Sequence, residues 1–85
     1  MDNSDNNSQF SQLVMSYGTA ALAYLGRLDD PQLKDVPRDK SLAKYNIDIL
    51  LMLRDKTKGN LSENEAKLLD SLLYDLQMIY LEENN

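Results

Sequence analysis

A break of only three residues, Gly59-Asn60-Leu61, separates two long segments whose apolar residues recur every three or four positions. That spacing lines apolar side chains along one face of an α-helix. Two helices joined by so short a connection pack side by side and antiparallel, so the spacing predicts a helical hairpin. The second arm opens with Ser62 three residues before Glu65, the Ser-x-x-Glu capping box in which hydroxyl and carboxylate each satisfy an orphan amide. Leu61 before it is placed to staple onto Ala66, and Leu69, Leu72, Leu73, Leu76, Ile79 and Tyr80 continue the stripe. The first arm follows Pro37, with Asp39 or Ser41 as its cap, and runs through Leu42, Asn46, Ile49, Leu50 and Leu53 to Lys58. Lys56 and Lys58 complement the carbonyl end of that helix, and Gly59 stops it.

Ahead of the hairpin lies a third periodic segment, with Phe10, Leu13, Val14, Tyr17, Ala20, Ala21, Tyr24 and Leu25 on its apolar face. Ser8 offers an N-cap hydroxyl, and Gly26 stands where a left-handed residue ends a helix. No strand pattern or internal repeat competes. The chain therefore reads as all-α, one three-helix domain over residues 9–82 with helices at about 9–25, 40–58 and 63–82. A loop at 27–39 holds both prolines, residues 1–8 read as a flexible polar tail, and 83–85 as a frayed end.

Composition then removes most chemistry. The 85 residues include no histidine, cysteine or tryptophan, which excludes thiol chemistry, cysteine or histidine metal ligation and imidazole acid–base catalysis. No metal or cofactor is expected. Absence of cysteine and of a basic-then-apolar leader favours a cytoplasmic setting. By segment the formal charge is −2 for residues 1–8, 0 for 9–26, +2 for 27–60 and −5 for 61–85, summing to −5. An acidic surface repels phosphate backbones, so nucleic acid is not an expected partner. Carboxylates offer no catalytic pair: Glu63 and Glu65 belong to a helix start, and Asp70 and Asp75 lie on different faces.

The stretches FSQLVMSYGTAALAYLG and IDILLMLRDKTKGNLSENEAKLLDSLLYDLQMIYLEE together resemble a small bacterial family, domain of unknown function 1844. The specific part is Lys56-Thr57-Lys58-Gly59-Asn60-Leu61 followed by Glu65 and Leu68-Leu69, and the likeness runs from Phe10 to Glu82. Members of the family often carry arginine at the position of Gln77. The resemblance implies a compact helical bacterial domain and supplies no catalytic residue.

What remains is apolar surplus. From Gln9 to Gly26 there is no charged side chain, and Gly18, Ala20, Ala21 and Ala23 permit close approach by neighbours on more than one side. Ile49 to Leu53 are five consecutive apolar residues, while Leu68, Met78 and Leu81 fall off the main stripe of the third helix. A domain this small buries one face per helix, so the surplus points to association, a homodimer or larger homo-oligomer first and an unidentified protein partner second. Ile49, Leu50, Met52 and Leu53 with Leu72, Leu76 and Ile79 are the expected core; Phe10, Val14, Tyr17 and Leu51 are candidates for contact with another chain. Asn46 is expected to face solvent, and the five tyrosines to serve core or interface. Two other readings stay open: an anion-binding or enzymatic turn built on Lys56, Lys58 and Asn60, and peripheral membrane attachment through the uncharged first helix.

Overall fold

A computed structural model describes residues 8–28 and 35–83. It contains three helices, α1 (Gln9–Tyr24), α2 (Lys40–Lys56) and α3 (Glu63–Glu83), and among the described residues no strand. Apart from Ser8 the polar tail lies outside the described residues, as do 29–34 of the loop and the last two residues of the chain.

Local signals account for each boundary. The Ser8 hydroxyl caps α1 by accepting from the Ser11 N–H at 3.0 Å. Its far end closes in a Schellman motif: Arg27 N–H donates to the Leu22 carbonyl, Gly26 N–H to that of Ala23, and Gly26 takes a φ of 74°. Asp39 caps α2, its carboxylate accepting from the Leu42 N–H at 3.0 Å. The capping box of α3 forms in both directions, Glu65 N–H donating to the Ser62 hydroxyl at 3.1 Å and Ser62 N–H to the Glu65 carboxylate at 3.0 Å. Helix α2 stops at Lys56, two residues before the sequence boundary: Thr57 leaves helical geometry at a φ of −103°, its N–H and hydroxyl both donate to the Leu53 carbonyl, and the Lys58 N–H turns to Asp55 instead.

Long-range bonds set the directions. Ser8, at the start of α1, donates to Glu65 in the first turn of α3 at 2.7 Å, while Arg27, just past the end of α1, pairs with Glu82 and Glu83 at the end of α3. Helices α1 and α3 therefore run parallel, with α2 antiparallel to both. Glu83 is the last helical residue and half-buried under Arg27 and Arg38.

Between the helices lies a core of Val14, Ala21, Leu25, Ala43, Ile47, Leu50, Leu69, Leu73 and Leu76. It differs from the expected core in the rotation of α2. Ala43 and Ile47 are buried, Ile49 and Leu53 only partly, and Met52 is 46% exposed. The run Ile49 to Leu53 offers apolar side chains at every angle, and the small Ala43 decides which side comes close. Asn46, expected in solvent, is buried as well; its amide donates to the Leu42 carbonyl one turn back at 2.8 Å, which removes the cost of burying it. Leu72 and Ile79 line the contact of α3 with α1 and are half-buried.

The tightest approach is at Gly18, where a Cβ would lie 2.5 Å from Cδ2 of Leu72. Replacing Gly18 with leucine is expected to pry α1 from α3 and cost about 1–3 kcal/mol of unfolding free energy, measured by urea denaturation. Leu73→Ala, a cavity at the centre of the core, is expected to cost about 2–5 kcal/mol in the same assay.

Candidate association surface

The residues singled out for function fall in three places. Val14 is wholly buried within the single chain, so it belongs to the core and is closed to a second molecule. It lies on the same α1 face as Ala21 and Leu25, which the apolar spacing alone could not separate from an outward stripe. Phe10, Tyr17 and Leu51 are half-buried and packed against the core, leaving part of each at the surface. Lys56, Lys58 and Asn60 are all exposed at the α2–α3 turn.

Beside that turn is an open recess of about 570 Å³ between α2 and α3, lined by Leu51, Arg54, Lys58, Leu61, Leu69 and Asp70 among others. Lys58 reaches it; Lys56 and Asn60 do not line it. Asp55 and Asp70 share the wall with Arg54 and Lys58, and Arg54 stands 3.7 Å from Asp70, so the recess carries balanced charge. Gly59, at a φ of 84°, is the left-handed residue the turn requires. No group of three or more carboxylates that could hold a metal ion occurs among the described residues.

Large apolar side chains stand out of the surface on all three helices: Leu13 and Met15 on α1, Leu42, Tyr45 and Met52 on α2, and Tyr74, Met78 and Leu81 on α3. Their placement follows from the contacts. Gly18 and Leu22 mark the flank of α1 turned to α3, so Leu13, Tyr17 and Ala20 occupy the flank bordering α2. On α2, Ile47 and Leu51 share a groove with Gln77, Tyr80 and Leu81 of α3, which puts Leu42, Tyr45, Ile49 and Met52 on the opposite flank, toward α1. Those four positions recur at spacings of three, four and three, the spacing of a helix–helix seam. The adjoining flanks make one outer face of α1 and α2 on which Tyr45 is 63% exposed.

Electrostatics concentrate at the two ends. The Ser62 N–H, and after it the Ser8 hydroxyl, hold the Glu65 carboxyl below the usual carboxylate range. At the other end the Arg27 guanidinium, with Arg38 beside it, does the same for Glu83. Lys40 sits over the Tyr80 ring at 4.3 Å from its centre. Helix pairing across the hairpin draws on little charge, Arg54–Asp70 being the ion pair between α2 and α3 among the described residues.

Among known families, the model described as domain of unknown function (DUF1844) matches residues 7–82. The chain belongs to this family. No curated protein and no solved structure matches it. The DUF1844 match covers α1, α2 and α3 as far as Glu82, so the capping box, the turn and the exposed faces described above all fall within it. No helix among the described residues of this DUF1844 chain is long and apolar enough to cross a membrane.

Sequence reasoning located Met78 and Leu81 as off-stripe but missed Tyr45 and Tyr74 as the most exposed of the large apolar residues. The signal for Tyr45 was present in its spacing from Leu42, Ile49 and Met52.

Glu65 yields a prediction whose sign is determined by its lowered pKa. The stabilisation it provides is complete above the ordinary carboxyl value of about 4.3 and is lost as pH falls through the lower folded value. Glu65→Ala is therefore expected to lower Tm, and to lower it more at pH 7 than at pH 3, in thermal melts followed by circular dichroism.

Proposed function

We propose that this chain is a non-catalytic protein-association module whose first partner is a second copy of itself, joined through the outer face of α1 and α2. The observation that carries this reading is that face: Leu13, Leu42, Tyr45 and Met52 stand exposed beside a helix that has no charged residue from Gln9 to Gly26. Water contact with so much apolar side chain is unfavourable, and removing it on association contributes about 25 cal/mol per Å² buried. The half-buried rims of Phe10 and Tyr17 extend the same face. Absence of cysteine supports a reducing, cytoplasmic setting for such an assembly.

Light scattering coupled to size exclusion tests the reading. The expected mass is about twice 9.7 kDa over a concentration series at moderate salt, and Met52→Asp is expected to return it to 9.7 kDa with helicity kept. A wild-type mass of 9.7 kDa at every concentration overturns it. Leu51→Asp serves as contrast: it sets a charge against the core between α2 and α3 and is expected to lower the melting temperature.

A further inference from the structure

The outer ridge of α3 presents a second surface with a different character. Tyr74, Met78 and Leu81 recur at spacings of four and three and are 66%, 46% and 60% exposed. Tyr74 and Met78 form the outer ridge of α3, while Leu81 turns to the groove it shares with Ile47 and Leu51 of α2. With Leu22, Leu72 and Ile79, the two ridge side chains line an open groove of about 410 Å³ between α1 and α3. The apolar ridge and groove together have the shape into which an amphipathic helix lays side chains at i, i+4 and i+7.

Charge decides what kind of helix. Tyr74 and Met78 are bordered by Asp70, Asp75 and Glu82, and the only basic residue of α3 is Lys67. Asp75 lines the groove and has no ion-pair partner among the described residues, while Glu82 and Asp70 are held by exposed arginines at 3.0 and 3.7 Å. A second copy of α3 fits badly. A parallel pair sets each acid against its twin, and an antiparallel pair crossing at Tyr74 brings the two Asp75 carboxylates together. Phosphate-bearing surfaces are repelled by the same acids. We infer that the Tyr74–Met78 ridge and its α1–α3 groove bind an amphipathic helix of a partner protein whose apolar stripe is flanked by lysine or arginine. This surface is separate from the α1–α2 face, so neither proposal depends on the other.

A helix-forming leucine–lysine peptide of about 14 residues is the probe, with its leucine–glutamate counterpart as comparison. Fluorescence anisotropy with labelled peptide is expected to show binding of the lysine peptide that weakens with added salt, and none of the glutamate peptide. Tyr74→Ser/Met78→Ser is expected to weaken binding about tenfold or more, with circular dichroism verifying that helicity is retained. Attraction to overall negative charge is separated by two single-charge variants: Asp75→Asn weakens binding, while Asp55→Asn, on α2 away from the ridge, leaves it unchanged. Failure of the lysine peptide to bind, equal affinity for both peptides, or equal effects of the two aspartate variants overturns the inference. Self-association that Tyr74→Ser/Met78→Ser abolishes also overturns it, because the ridge is then covered by a second copy of the chain. The serine variant and Asp75→Asn act at different atoms of the site, so a folding defect in one leaves the other decisive.

Discussion

Glu65 accepts hydrogen bonds from the starts of two helices at once, and that carboxylate ties α1 to α3 at the end where both begin. One oxygen closes the capping box of α3 on the Ser62 N–H; the other takes the hydroxyl of Ser8, which caps α1. A local helix-start motif is thereby converted into a tertiary lock between residues 57 positions apart. With the starts of α1 and α3 level, the short turn to α2 leaves the intervening helix no direction but antiparallel. Gly18 then lets α1 settle onto Leu72 along the rest of its length.

Much of this architecture could be read from residues that act locally. Caps and stops depend on side chains within a turn of the boundary, so Ser8, Gly26, Ser62 and Glu65 declare the ends of α1 and α3 without reference to the rest of the chain. The rotation of α2 is a different kind of question. Five successive apolar residues make its period ambiguous, and what resolves the ambiguity is a pair of neighbours met only in the folded state. Hence Met52 turns outward and Ile47 inward, and Asn46 is buried once the Leu42 carbonyl is within reach of its amide. The reach of Ser8 to Glu65 was equally hidden, because nothing in either segment alone specifies a partner so distant in the chain.

The candidate surfaces were legible as a surplus and not as a location. An uncharged α1 and the off-stripe Met78 and Leu81 announced more apolar side chain than three packed helices bury. Placing that surplus required knowing which flank of each helix its neighbours use. Val14 moved to the interior on that ground, while Tyr45 and Tyr74 emerged on separate faces of different electrostatic character, one beside an uncharged helix and one among carboxylates. A bundle of three helices has three outer grooves, and here the surroundings of two of them differ in charge.

The two ends of the bundle are fastened by unlike chemistry. At the Ser8–Glu65 end the fastening is hydroxyl and amide donors on a carboxylate, a set of short dipolar contacts that dissolved ions hardly weaken. At the Arg27–Glu83 end it is guanidinium against carboxylate, at the surface, where ions screen the attraction. Rising ionic strength thus weakens the fastening at one pole and spares that at the other, whereas acid reaches the carboxylates of both.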